Sequence, residues 1–328
     1  MNLPNNKCEV LIPIRGDCIY FEHTLNSLRE SVADGLSVCI VYSDVSNYTI
    51  NLVKQILSHG NLRFLNADGL SLAQKLGLGV FSSSSEYIMR IDADDLIIQG
   101  RVAKQLRILE SNPEIALVAS RMNYIDLNGR SVGTSEKYLS ETKQLLKIGC
   151  HIGHPSVMMR RSQILESGNY KEFSRVGNTS IAEDFYLWAR ILQKNQIYIL
   201  DEVLTEYRVH PNQISNKHEL QRMAASLLIR GWIIQDKIPA FDHNIELIWE
   251  SPQLSQLFLD FSGSCAPECE LWRLDFSYLV LKSLARTTNF FGTPIRKSIM
   301  NLRFLAYALM SLAKLRRHRQ RLIKAILR

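Results

Sequence analysis

Nothing in these 328 residues approaches the ~20 uninterrupted apolar positions that a membrane-spanning helix needs. The best stretch, Phe304 to Ala313, is too short and is bounded by Arg303 and Lys314. The opening Met-Asn-Leu-Pro-Asn-Asn has neither a basic head nor an apolar run, so no secretory leader is expected. Cysteine is sparse: Cys8, Cys18, Cys39, Cys150, Cys265 and Cys269 are scattered, and only the last two lie close together. Three residues separate that pair and no histidine partners it, which argues against a zinc site. Scattered thiols suit a reducing compartment, so the cytosol is expected, and a chain of this size can bury a core without cross-links. Internal repeats and low-complexity segments are also missing. The apolar share of 46% and charged share of 22% are those of an ordinary globular protein.

Acidic residues stop at Asp275, whereas twelve Lys and Arg follow it. Removing those twelve cations from the net charge of +7 leaves the first 275 residues at −5. A mildly acidic body therefore carries a strongly basic tail, and the two call for separate explanations.

What is present in the body is an alternation of short apolar runs with helical patterns. Glu9 to Pro13, Leu36 to Tyr42, Asn61 to Leu65 and Glu86 to Ile91 read as strands. Thr24 to Val32, Tyr48 to Ser58 and Leu70 to Phe81 read as the helices between them. That order predicts a three-layer α/β/α architecture around a mainly parallel sheet. Ligands of such sheets bind beyond the carboxyl ends of the strands, which directs attention to Pro13–Asp17, Ser43–Asn47 and Asp92 onward. A further helix spans Arg101 to Glu110 and ends before Asn112-Pro113. Ile115 to Ser120 and Gln196 to Leu200 read as strands and Ala182 to Gln193 as a helix. After Ser215 the pattern is nearly continuous helix, giving a catalytic domain over 1–215 and a helical region over 216–328.

Several residues in the body have the chemistry of a site. Asp92-Ala-Asp94-Asp95 follows an apolar strand; three carboxylates so close repel one another unless solvated or bound to a cation. Their hard oxygens suit Mg²⁺ or Mn²⁺ shared with a diphosphate. An acidic turn that caps a helix is the plainer alternative. Asp44, after the second strand, offers a carboxylate to a uracil N–H; the plainer reading is a turn with Ser46 or Asn47 as N-cap. Glu183-Asp184 opens a helix, where the dipole favours acids in any case; a general base is the functional reading. Arg208 and His210 could reach a diphosphate and a metal. His154 is a similar candidate, though a lone histidine is more often structural.

In this order the residues resemble family 2 of the inverting glycosyltransferases, which have the GT-A, Rossmann-like fold. The resemblance covers roughly residues 8 to 215. It rests on Val10-Leu-Ile-Pro13, on Asp44 and on the Asp92-Ala-Asp-Asp95 element, which looks like the family's DxD signature. Arg101, Gln105 and Pro113 follow, then His154-Pro-Ser-Val-Met-Met-Arg-Arg161, Glu183-Asp184 and Tyr207-Arg-Val-His210-Pro-Asn-Gln213-Ile-Ser215. The resemblance implies that Pro13, Arg15, Asp44, Asp92 and Arg208 bind a UDP-sugar donor, Asp44 at the uracil and Asp92 at the ribose. It makes Asp94 and His210 the ligands of Mn²⁺ or Mg²⁺ and Asp184 the base. Glu183 would support Asp184, and His154 would lie on the acceptor side. Two departures stand out: Ser43 replaces an acid before Asp44, and Gly77 stands where Asn is frequent.

The tail places Leu305, Leu309, Leu312 and Leu315 on one helical stripe, extended by Leu322, Ile323, Ile326 and Leu327 among arginines. Such a helix is expected to lie on an anionic inner membrane, beside a lipid-linked glycan acceptor of the kind met in O-antigen, capsule or lipooligosaccharide assembly. The expectation is thus a peripheral enzyme on the cytoplasmic face that moves a hexose or N-acetylhexosamine with inversion. Competing readings are the same fold with a GDP- or dTDP-sugar, a non-catalytic membrane adaptor, and a nucleic-acid binder led by the tail. No nucleic-acid motif supports the last. Loops over Met122–Gly153 and Glu166–Ser180 are where acceptor specificity is expected.

Overall fold

A computed structural model describes residues 7–137, 142–171, 173–176, 179–211, 213, 218–239, 252–262, 264–286 and 315–327. It divides the chain into two compact units, Met1–Tyr138 with Ile152–Ile214, and Leu139–His151 with Ser215–Arg328.

The first unit opens with β1 (Cys8–Arg15), α1 (Phe21–Ala33), β2 (Ser37–Ser43), α2 (Asn47–Ile56), β3 (Leu62–Asn66), α3 (Leu72–Ser82) and β4 (Tyr87–Arg90). β1 is buried from end to end except at Arg15. A strand covered on both faces reads as a continuous apolar run, which is why the first strand was legible. Phe21, Thr24, Leu25, Leu28 and Val32 form the buried stripe of α1 at spacings of three and four. The Ser46 hydroxyl caps α2, and Ser71 and Gln74 form a capping box on α3. α3 lies directly on β1, and a Cβ at Gly79 would come within 2.3 Å of Leu11 Cδ1.

Then follow β5 (Leu96–Ile97), α4 (Arg101–Ser111), β6 (Ile115–Ile125) and β7 (Ser131–Thr134). After α5 (Thr142–Ile148), which belongs to the second unit, come β8 (Met158–Arg160), α6 (Arg161–Glu166), β9 (Arg175–Val176), β10 (Thr179–Ser180), α7 (Glu183–Ile191) and β11 (Gln196–Arg208). The main sheet runs β3-β2-β1-β4-β8-β6-β11-β5, with β7 added to β6. Pairings from β3 to β4 are parallel, as is β6 with β11. β8 runs antiparallel between β4 and β6, so the sheet as a whole is mixed. β11 extends eight residues beyond the expected strand end at Leu200, through register shifts near Val203. That extension carries the chain to Arg208, beside the turn that follows β4. The core of the unit gathers Val10, Ile12, Leu25, Leu28, Met89, Leu106 and Val118.

The second unit is helical: α5 with α8 (Glu219–Gln235), α9 (Pro252–Phe261), α10 (Pro267–Arg286) and α11 (Leu315–Ile326). Trp272 is fully buried, stacks on Phe276 and donates its Nε1–H to the Leu227 carbonyl at 2.7 Å. Asp275 bridges two arginines, Arg230 at 2.7 Å and Arg319 at 2.9 Å. Leu322 and Ile326 of α11 are 7% and 8% exposed and cluster with Ile148, Leu271 and Leu274, with Ile323 and Leu327 packed against them. Side chains expected to enter a membrane thus cover this unit's own core. Leu305, Leu309 and Leu312 lie outside the described residues, as does the side chain of Leu315. Among the described residues no helix is long and apolar enough to cross a membrane.

Candidate active site

The turn after β4 brings Asp92, Asp94 and Asp95 together, with one carboxylate oxygen from each lying within 4.8 Å of the others. Asp95 is fully buried, and its Oδ1 accepts the backbone N–H of Arg208 at 2.8 Å. Burial, reinforced by Asp92, raises the pKa of Asp94; burial, then Asp92 and Asp94, raises that of Asp95 further. Like charges crowded in this way are relieved by a bound cation, so the donor set fits Mn²⁺ or Mg²⁺. His210 Nε2 lies 2.9 Å from Asp94 Oδ2, across 116 residues of chain. The turn is held from two sides. Thr24 of α1 donates its hydroxyl to the Ala93 carbonyl at 2.9 Å. Arg208 donates from Nε to the Asp94 carbonyl and from Nη1 to the Asp126 carbonyl, both at 3.0 Å, with its guanidinium 4.4 Å from the Tyr20 ring. Arg208 is 2% exposed. The guanidinium expected to meet a diphosphate braces the acidic turn through Nε and Nη1.

A second group stands at the carboxyl ends of β1, β2 and β3. Pro13 is buried within β1, two residues short of the edge, whereas Arg15 and Asp44 are exposed and their side chains approach to 3.4 Å. Asp44 adopts a left-handed φ of 55°, and its N–H donates to Asp68 Oδ1 at 3.2 Å. Lys75 reaches this edge from α3, is buried, and donates from Nζ to the Ser43 hydroxyl. Its pKa is lowered by burial and then by Arg15, with Asp44 and Asp68 opposing. Neither Lys75 nor Asp68 drew notice in the sequence, because their proximity is created by packing three strand ends together. Asp17 tightens the α2 end by accepting from Ser46 and Thr49.

The third group is the Glu183–Asp184 pair at the start of α7. Ala182 precedes it with a left-handed φ of 58°, a conformation that holds some strain for a residue with a Cβ. Burial and then the Asp184 charge push Glu183 up to about 8; burial also raises Asp184. The charge of Asp92 acts on both, so the pair and the acidic turn are within electrostatic reach of each other. His154 lies behind the pair at 8% exposure, with Nε2 2.9 Å from the Tyr170 hydroxyl and its ring edge-on to the fully buried Trp188. Burial draws its pKa well below the usual histidine value, so the ring is neutral. The buried, hydrogen-bonded ring has the setting of a structural histidine, the plainer of the two readings the sequence offered. Arg90, read only as the end of an apolar strand, is a buried guanidinium 2.5 Å from Asp92.

Residues 9–168 match the family described as Glycosyl transferase family 2. The amylovoran biosynthesis glycosyltransferase AmsE of Erwinia amylovora is 23% identical, over 50% of this chain and 64% of AmsE. Across this and two further curated relatives the match spans 56–67% of their lengths. Among solved structures, S. aureus TarS 1-349 in complex with UDP-GlcNAc has a TM-score of 0.54 at 16% identity, covering 84% of this chain and 81% of that one. Mannosyltransferase PcManGT from Pyrobaculum calidifontis, in complex with GDP-Man and Mn²⁺, has a TM-score of 0.55 at 14% identity, covering 99% and 85%. At such identities the structures speak for the fold alone, which is GT-A-like: a mixed α/β sheet with helices, followed by a helical C-terminal region.

Proposed function

Because residues 9–168 belong to family 2 of the glycosyltransferases, we propose that this chain moves a hexose or N-acetylhexosamine from a UDP-sugar to a glycan acceptor, inverting the anomeric centre. The observation that carries the reading is the meeting of His210 with Asp94 at 2.9 Å, which joins the end of β11 to the acidic turn. Asp94 with His210 would hold Mn²⁺ or Mg²⁺. The bound ion would act as a Lewis acid on the departing diphosphate. Arg208 and Thr24 keep the turn in place for that ion. Asp44 would accept the uracil N–H and Asp92 would hold the ribose, with Arg15 and Lys75 lending positive charge at the base end. Asp184 would take the proton from the attacking hydroxyl, and Glu183, raised to about 8, would remain largely neutral beside it at pH 7.

The family and the name of AmsE support a place in polysaccharide biosynthesis; the same proposal puts a lipid-linked acceptor at the inner face of the cytoplasmic membrane, reached through the basic tail. A GDP-sugar is the alternative donor, since the neighbour bound to GDP-Man covers nearly the whole chain.

The test pairs calorimetry with turnover. UDP is expected to bind in Mn²⁺ and to be lost in chelator. Asp184→Asn should keep that binding while transfer falls by ~10²–10⁴. Wild-type turnover in Asp184→Asn would remove the base assignment, and preference for GDP over UDP would move the donor class.

A further inference from the structure

Tyr20 stands at the N-terminal end of α1 and lays its ring over the Arg208 guanidinium, 4.4 Å from Cζ to the ring centroid. The same ring lies 6.5 Å, centroid to centroid, from the His210 imidazole, tilted by 35°. Both separations fall within the range at which an aromatic face attracts a cation or pairs with a second ring. Its two partners are the side chains that join β11 to the acidic turn. Arg208 Nε donates to the Asp94 carbonyl at 3.0 Å, and His210 Nε2 lies 2.9 Å from Asp94 Oδ2. Tyr20 is tied to the same turn along its own helix. Its carbonyl accepts the N–H of His23 at 3.0 Å and of Thr24 at 3.2 Å. Thr24 donates its hydroxyl to the Ala93 carbonyl at 2.9 Å, and Cys18 Sγ lies 3.6 Å from that oxygen. The start of α1, the acidic turn and the end of β11 therefore form one closed circuit of contacts, with the Tyr20 ring as a direct link between the first and the last. The ring makes that link and the phenol hydroxyl does not.

We propose that Tyr20 is a positioning residue for the divalent cation: its ring holds Arg208 and His210 in the arrangement in which His210 and Asp94 share one ion. This rests on the reading of Asp94 and His210 as the metal ligands. In this role Tyr20 touches neither the ion nor the donor. It favours the closed form of the site over forms in which the end of β11 has moved off the turn. Arg208 is almost wholly removed from water, so the attraction between ring face and guanidinium is at the stronger end of its range. Where only the closed form binds, the apparent affinity scales with the fraction of chains that are closed.

The experiment titrates the full chain with Mn²⁺, with and without UDP, and reads the free ion by its electron paramagnetic resonance signal. Tyr20→Phe keeps the ring and should stay within about twofold of the wild-type dissociation constant. Tyr20→Leu removes the aromatic face and should weaken Mn²⁺ binding by roughly 3- to 10-fold. The stoichiometry gives the folded fraction, so each constant refers to folded chains. A pentafluorinated phenylalanine in place of Tyr20 keeps the shape of the ring, and so the fold, while removing the negative charge of its face. It should weaken binding as Tyr20→Leu does, an effect that a purely space-filling side chain would not produce. The inference falls, with the proposed function left standing, if either Tyr20→Leu or the fluorinated ring binds Mn²⁺ as tightly as the wild type. It falls equally if Tyr20→Phe is weakened as much as they are. A wild-type chain that binds no Mn²⁺ in either condition would instead remove the reading of Asp94 and His210, and this inference with it.

Discussion

At Glu183, burial and the Asp184 charge act in the same direction and push the carboxyl's pKa up to about 8. Its folded pKa lies above the ordinary value of 4.5, so the folded state binds the proton more tightly than the unfolded state. The associated stability is complete below pH 4.5 and is lost as the pH rises through about 8. Each pH unit in that window is worth up to about 1.4 kcal/mol. In chelator, the melting temperature of the wild-type chain should therefore fall between about pH 5 and pH 8, and Glu183→Gln should flatten that slope. Parallel curves for the two proteins would show that Glu183 does not titrate there. Asp184 is raised as well, by burial.

Among the elements, the helices of the second unit converge on one carboxylate. Asp275 of α10 bonds Arg230 of α8, whose side chain is 4% exposed, and Arg319 of α11. Asp275→Ala would leave a buried guanidinium without its counter-charge, a loss of about 3–5 kcal/mol. Urea denaturation followed by helical circular dichroism should show it; a shift below ~1 kcal/mol would mean that water replaces the carboxylate. How far such elements could be foreseen depended on their period. β1, α1 and α3 announced themselves through continuous burial or a three-four stripe, and Asp92, Asp94 and Glu183-Asp184 through their place at element ends. β8 was missed because three residues, Met158 to Arg160, are too few to show any period. The second half of β11 was missed because bulges and the acids Asp201, Glu202 and Glu206 interrupt its alternation. Arg90 and Lys75 were invisible as site residues for a different reason. Their roles arise from neighbours far away in sequence, and no local pattern carries that information.

Over the whole molecule, charge and apolar surface separate differently from what the tail's composition suggested. Leu322 and Ile326 are used inside the helical unit, whereas Gln320, Arg321 and Lys324 of the same helix are exposed. Attachment to an anionic membrane through α11 would then rest on charge and not on insertion. Flotation with anionic vesicles should capture the chain at roughly 0.05 M salt and release it near 0.5 M, as screening shortens. Removing residues 315–328 should abolish capture. Retention at high salt would point to inserted apolar groups. Asp94 and His210 are 116 residues apart, and the acidic turn is braced by Arg208 at the end of the first unit's last strand. A chain still being made on the ribosome has its Asp-rich turn exposed long before the strand that completes it has emerged. Under the proposed function, capture by immobilised UDP would read out finished synthesis and closure of this unit, and chains arrested before residue 208 should pass through such a matrix unretained.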